Sequence, residues 1–192
     1  MDLINILIIA GAGIALLVLA VIVIITAVVT DVMSFTARGS TTMSPTGTSA
    51  GSALVIYSPG FTGAAKSAAA TIAGDLQSKG YTVRLAGIKS ADMSNVSGYD
   101  VIVTGGPMYW GQVSSSVNAY LKGLQPQKNV KLAVFAMTGW TEFNDQDIAS
   151  FGKQAAALSY SGMLDKAAVT KTIRSGAAGN TDCSDFISAV LQ

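Results

Sequence analysis

The sequence predicts a three-layer α/β sandwich around a five-stranded parallel sheet, preceded by one transmembrane helix. Two observations carry this expectation. Residues 6–29 form an unbroken apolar stretch with no charge, proline or amide, and at about 1.5 Å per residue a helix of that length exceeds a hydrocarbon core of roughly 30 Å. From Ala53 onward, short apolar runs rich in β-formers alternate with helical patterns, the sequence sign of a parallel sheet covered on both faces. Composition sets the outer limits. The 192 residues carry 12 Lys and Arg against 11 Asp and Glu, no His and one Cys.

Without histidine, neither a Ser-His-Asp nor a Cys-His triad can be assembled, and no imidazole-ligated metal site is available. A single thiol, Cys183, permits no intrachain disulfide and no thiolate cluster. Basic and acidic residues alternate without runs, so no basic face for neutralising phosphates is expected, and no nucleic-acid partner.

The elements follow in chain order. The start, Met1-Asp2-Leu3-Ile4-Asn5, lacks the basic residues of a cleaved signal, so residues 1–31 are read as an uncleaved anchor whose partner is the lipid bilayer. Arg38 is the first basic side chain and follows the apolar stretch, which favours an external N-terminus and a cytoplasmic remainder. The sequon Asn95-Val96-Ser97 keeps the opposite topology open. Gly11 and Ala15 form a small-xxx-small pair, more often plain anchoring than a helix-pairing face. Residues 32–52 are read as a linker, because 39–52 is almost entirely Gly, Ser and Thr. Such a coil spans on the order of 20 Å and leaves the domain at 53–192 free to reorient.

Within that domain the expected strands are 53–57, 82–86, 101–104, 131–136 and 167–173. Ala65, Ala69, Ile72 and Leu76 recur at helical spacing, with Gly80 as terminator. Val117, Leu121 and Leu124 mark the next helix. Ile148, Phe151, Ala155 and Leu158 mark another, capped by Asn144 with Asp147 three residues on. Asp182 is expected to begin the last helix, which carries Phe186, Ile187 and Val190. The connection 88–99, polar and broken by Gly98, has room for only a short helix.

In an open parallel sheet the ligand site lies beyond the carboxyl ends of the strands, where strand order reverses. Three segments sit there. After the first strand, Ser58-Pro59-Gly60-Phe61-Thr62-Gly63-Ala64-Ala65-Lys66 runs directly into a helix, and small residues at a helix start let amides converge on an anion. A tight turn that needs glycine explains the same residues equally well. After the third strand comes Gly105-Gly106-Pro107-Met108-Tyr109-Trp110-Gly111-Gln112, whose aromatics can offer planar faces to a flat ring or pack down on the helix layer. After the fourth comes Met137-Thr138-Gly139-Trp140-Thr141-Glu142-Phe143. The acidic residues Glu142, Asp145 and Asp147 read as ordinary helix capping.

Together these residues resemble the flavodoxin-like family over roughly 53–192. The most specific piece, Gly106-Pro107-Met108-Tyr109-Trp110-Gly111, resembles that family's flavin-ring loop. Thr62-Gly63 resembles the centre of its phosphate loop, with Gly60 and Ala65 standing where hydroxyl residues are usual and Ser58 supplying a hydroxyl two residues earlier. Thr138-Gly139-Trp140 resembles the last flavin-contacting loop. The resemblance implies a sheet of order 2-1-3-4-5 and FMN as cofactor. It also implies a phosphate held around Ser58, Gly60, Thr62, Gly63, Ala64 and Ala65, and a ring faced by Tyr109, Trp110 and Trp140 with Pro107, Met108, Gly111, Thr138 and Gly139 around it. Apart from Asp2 the chain carries a net charge of +2, from 12 basic groups against 11 acidic of which Asp2 is one, and so lacks a strong field for docking a distant partner. Anchoring to the bilayer raises the effective concentration of a membrane redox partner instead. The expected role is a membrane-anchored electron-transfer protein. Two alternatives are an FMN-dependent reductase acting on a quinone or similar acceptor, and a flavin-free structural subunit of a membrane complex.

Overall fold

The computed structural model describes residues 2–32, 37–60, 63–125, 129–138, 145–159, 169–174 and 182–192. Its first element is α1 (Leu3–Val32), 30 residues long and so about 45 Å from end to end. Within it Ile8–Ala27 is apolar enough to cross a membrane and none of that span is buried. The rest of the chain builds β1 (Ser40–Met43), β2 (Gly51–Tyr57), α2 (Ala64–Ser78), β3 (Tyr81–Gly87), a single 3-10 turn (Ala91–Ser94), β4 (Val101–Tyr109), β5 (Gln112–Val113), α3 (Ser115–Gly123), β6 (Lys131–Thr138), α4 (Asp145–Ser159), β7 (Val169–Arg174) and α5 (Ser184–Leu191).

Five strands run parallel in the order β3-β2-β4-β6-β7. This is the expected 2-1-3-4-5 order. Helices α2 and α5 pack together on one face and α3 and α4 on the other, so the central strands are covered on both sides. Leu54, Ile56, Val101, Ile102, Val103, Val134 and Phe135 are all fully buried, which explains why β2, β4 and β6 read as continuous apolar runs rather than alternating ones. In α2 the residues at helical spacing, Ala65, Ala69, Ile72 and Leu76, are all buried, together with Ala68 and Ala73. Gly80, with a positive φ of 93°, ends the turn into β3. The last helix begins at Ser184 rather than Asp182. Asp182 instead accepts a hydrogen bond from the Ser184 amide at 2.9 Å. Asn144, expected to cap α4, lies outside the described residues.

Two departures from the sequence expectation matter for function. First, the strand expected at 101–104 runs on to Tyr109, because Gly105, Gly106 and Pro107 continue the pairing with Phe135, Ala136 and Met137 of β6. Glycine is obligatory in that extension. A Cβ on Gly106 would stand 2.8 Å from the Ser58 Cβ and 2.9 Å from the Val117 Cγ2, and one on Gly105 would overlap the Phe135 ring.

Second, the span read as a free tether is docked on the domain. Ser40–Met43 pairs antiparallel with β3, from Ser40 opposite Ala86 to Met43 opposite Val83. Upstream of β1, the Gly39 carbonyl accepts from the Gly87 amide and the Ala37 carbonyl from the Lys89 amide, both at 2.8 Å. Ala37 is only 4% exposed, and a Cβ on Gly87 would overlap its backbone. Downstream, the Gln77 side chain donates to the Ser44 carbonyl at 2.6 Å. Backbone pairing needs no apolar side chains, and composition alone therefore gave no sign of this strand.

A polar cluster holds β1 in place. Arg84 donates to the Thr42 hydroxyl at 2.5 Å and to the Asp92 carboxylate at 2.8 Å, and Ser40 donates to the same carboxylate. The Ser40 hydroxyl first, and the Arg84 guanidinium second, hold the Asp92 carboxyl below its usual range. A carboxylate with a lowered folded value stabilises the fold at any pH above the ordinary Asp range and loses that contribution as pH falls through the lowered value.

Two tests follow from the docking of β1. Gly87→Ala should lower unfolding stability by about 1–3 kcal/mol in a denaturant titration, the ordinary cost of forcing a methyl into a filled space. Asp92→Asn should destabilise the protein at neutral pH, and its unfolding midpoint should converge with that of the parent chain as both are acidified.

Candidate functional site

The carboxyl edge of the sheet gathers the sequence-selected residues from β2, β4 and β6. β2 ends at Tyr57, yet pairing persists one residue further, where the Ser58 amide donates to the Gly105 carbonyl at 2.9 Å. Ser58 is fully buried. The chain then turns through Gly60 and Gly63, both left-handed with φ of 72° and 74°. The Gly63 amide closes the turn on the Gly60 carbonyl at 3.2 Å, and the Gly63 carbonyl accepts the first helical bond of α2 from Ser67 at 3.1 Å.

Gly63 is the N-cap of α2 and offers no side-chain oxygen to cap it. The amides of Ala65 and Lys66, which have no acceptor inside the helix, therefore lie at the positive end of the helix dipole. Ala64 is half-buried, and the Ala65 methyl is part of the core. Gly60 lies against the second loop: a Cβ there would come 3.3 Å from the Pro107 Cβ. Thr62 lies outside the described residues.

The second segment is a β-hairpin that the sequence did not disclose. Met108 pairs with Val113 and Tyr109 with Gln112 in antiparallel register, leaving Trp110-Gly111 as a two-residue turn. Both turn residues have positive φ, 49° and 75°, as a type I′ turn demands. Glycine suits that geometry, whereas a bulky L-residue in the left-handed region costs roughly 1–2 kcal/mol. Trp110 takes that conformation with its indole 89% exposed. Neither core packing nor turn preference accounts for it, and such an outlier points toward function.

Helix α4 clamps the hairpin. The Val113 amide donates to the Gln154 side-chain oxygen at 3.1 Å, and a Cβ on Gly111 would come 2.9 Å from the Asp147 Oδ1. The Ser114 amide returns to the Pro107 carbonyl at 2.9 Å. Tyr109 is half-buried beside Trp110, with ring centroids 6.4 Å apart and planes tilted by 48°. Met108 is buried in the core, so at this position only its backbone faces the edge. Thr138 is buried at the end of β6. Gly139 and Trp140 lie outside the described residues.

The structure thus brings Ser58, Gly60, Gly63, Ala64 and Ala65 beside Pro107, Tyr109, Trp110 and Gly111, with Thr138 ending the next strand. Sequence reasoning missed Gln154 and the packing role of Asp147, because a lone Gln or Asp on a helix gives no signal of what it will touch. Two other spaces lie away from this edge. One, of about 480 Å³, is lined by Met93, Val96, Tyr120 and Leu124 among others. There the Tyr120 hydroxyl is buried without a partner among the described residues, and burial pushes its pKa far up. The other, of about 440 Å³, surrounds the Arg84–Asp92 pair.

No family model matches the chain, and no curated protein does. Among solved structures, the oxidised flavodoxin 2 of Bacillus cereus superposes with a TM-score of 0.55 at 19% identity, covering 73% of this chain and 97% of that one. The rubredoxin:oxygen oxidoreductase of Desulfovibrio gigas gives 0.48 at 15% identity over 74% of this chain, which spans only 35% of that protein. A flavodoxin from the domain Archaea gives 0.45 at 15% identity, over 73% and 99% of the two chains. The chain has the flavodoxin-like fold, with the antiparallel strand β1 at one edge of its sheet.

Trp110→Asn should relieve the turn, since Asn-Gly is the favoured type I′ pair. We expect the variant, without any ligand, to gain about 0.5–1 kcal/mol in denaturant unfolding; a loss of stability would mean that the indole is held by packing.

Proposed function

We propose that the chain is a membrane-anchored, FMN-binding electron-transfer protein. The observation that carries this reading is the exposed Trp110 indole on a strained turn, one strand away from a glycine-opened helix start. Both sit where sheet order reverses between β2 and β4, the usual ligand position in doubly wound sheets.

The residues present suit FMN. Backbone amides around residues 62–65 would hold the phosphate at the start of α2, with the Ser58 hydroxyl nearby. Tyr109, Trp110 and Trp140 would face the isoalloxazine, and Gly60 and Pro107 would wall the space between phosphate and ring. When bound, the flavin supplies electron transfer in one- or two-electron steps. The protein's part is to hold, orient and shield the ring, and a chain without histidine is no obstacle to that role.

Gly60 and Ala65 lack the hydroxyls that would add charge-assisted bonds to a phosphate, each worth about 1.5–3 kcal/mol. The site is accordingly expected to bind FMN more weakly than a hydroxyl-rich loop would. Membrane anchoring through α1, with the domain on the cytoplasmic side as Arg38 favours, would offset the lack of a long-range electrostatic dock by concentrating the protein near a membrane redox partner.

The full chain in detergent, incubated with FMN and freed of excess, should retain absorption bands at roughly 375 and roughly 450 nm at about one flavin per chain. Trp110→Ala should raise the Kd for FMN by about three- to tenfold, the effect of removing one aromatic stacking partner. A parent chain that stays colourless would overturn the redox reading.

A further inference from the structure

The Trp110 hairpin is too short to hold its own shape. Strand β5 has only two residues, and an isolated two-stranded ribbon is marginal in water even when longer. Trp110 is left-handed against the preference of a bulky side chain. A contact outside the hairpin has to fix it, and the hydrogen-bond ladder shows where.

The Ser114 amide donates to the Pro107 carbonyl at 2.9 Å, which makes residues 107 and 114 a hydrogen-bonded pair. In an antiparallel ladder bonded and non-bonded pairs alternate. Met108 and Val113, the neighbouring pair, are therefore of the non-bonded kind, and the Val113 amide faces away from β4. Val113 is buried, and a buried amide left without an acceptor is costly. The acceptor it meets is the Gln154 side-chain oxygen on α4, at 3.1 Å.

The same helix meets the turn itself. Asp147, Ser150 and Gln154 recur at helical spacing along α4 and share one face. A Cβ on Gly111 would come 2.9 Å from the Asp147 Oδ1 and 3.4 Å from the Ser150 Cβ, so the turn lies close against that face. Packing limits how near the hairpin comes. The bond to Gln154 is directional and sets the angle at which it stands.

We propose that Gln154 is a positioning residue for the flavin ring. By accepting the Val113 amide it holds the hairpin on α4, and so fixes Tyr109 and Trp110 where the ring is received. It acts through Val113 and not by touching the cofactor. This role rests on the FMN reading above and adds to it a residue outside all three loops. Without an acceptor at position 154, the Val113 amide reaches water only if the hairpin swings away from α4, and Trp110 is then released from its strained conformation.

The test uses the full chain in detergent and two variants. Gln154→Met keeps the length of the side chain but replaces the amide oxygen by a weakly accepting sulfur. Gln154→Glu keeps an acceptor oxygen in the same place. Hydrogen exchange of the Val113 amide, resolved by fragmentation mass spectrometry, is followed without FMN; the Kd for FMN is then measured by quenching of flavin fluorescence.

We expect Gln154→Met to speed Val113 exchange about tenfold or more, because the opening is local. It should also raise the Kd for FMN by about three- to tenfold, as for loss of the indole, with little change in the unfolding midpoint. Gln154→Glu should stay near the parent chain in both readouts. Unchanged exchange in Gln154→Met overturns the hold on the hairpin. Faster exchange with FMN affinity unchanged, or an affinity that Gln154→Glu fails to restore, overturns the positioning role. A parent chain that binds no FMN removes the flavin reading and this role with it, whereas exchange measured without FMN reports separately on the hold itself.

Discussion

The site depends on the close approach of β2, β4 and β6 at Gly105 and Gly106. With no room for a side chain at either glycine, Phe135 closes on one and Ser58 and Val117 on the other, and β4 continues past the end of β2 in register with β6. That extension places Pro107 against Gly60, and the Tyr109–Trp110 hairpin over the start of α4. Larger residues there would push the strands apart, and interiors packed like organic crystals cannot absorb such a shift cheaply. The same contact holds the loop after β2 beside the loop after β4.

At the hairpin, stability has been given up for presentation. A type I′ turn with Asn or Gly at its first position would be relaxed, yet the chain places tryptophan there, left-handed and exposed. The turn is held by its surroundings: Gln154 takes the Val113 amide, Asp147 crowds Gly111, and the Pro107 carbonyl takes the Ser114 amide. Strain persists only where neighbouring structure over-determines it. Here three contacts outside the turn do so, and they keep an indole out of the core.

The edge strand β1 brings the chain onto the domain at the carboxyl end of β3. Stitched along β3 by backbone bonds, and held by Ser40, Thr42, Arg84 and Asp92, residues 40–43 are part of the sheet and not a free coil. The strand also covers the β3 edge, whose open amides and carbonyls would otherwise invite pairing with another chain.

Much of this was legible in the sequence, for local reasons. Apolar runs of β-branched residues, helical spacing of Ala69, Ile72 and Leu76, and glycine at loop positions are properties of neighbours along the chain, and they specified the five parallel strands, most helices and the edge where Ser58 to Ala65 and Pro107 to Gly111 would meet. The apolar span of α1 and the absence of histidine were likewise plain from composition. What the tertiary structure alone decided depends on partners distant in sequence: β1 pairs through backbone atoms that carry no side-chain signature, Gly105 and Gly106 are strand and not loop because β6 is there to pair with them, and Trp110 becomes an exposed left-handed turn residue because α4 clamps the hairpin beneath it. Local pattern determines which elements form; only the folded chain decides which backbone meets which, because those contacts are made by groups that every residue shares.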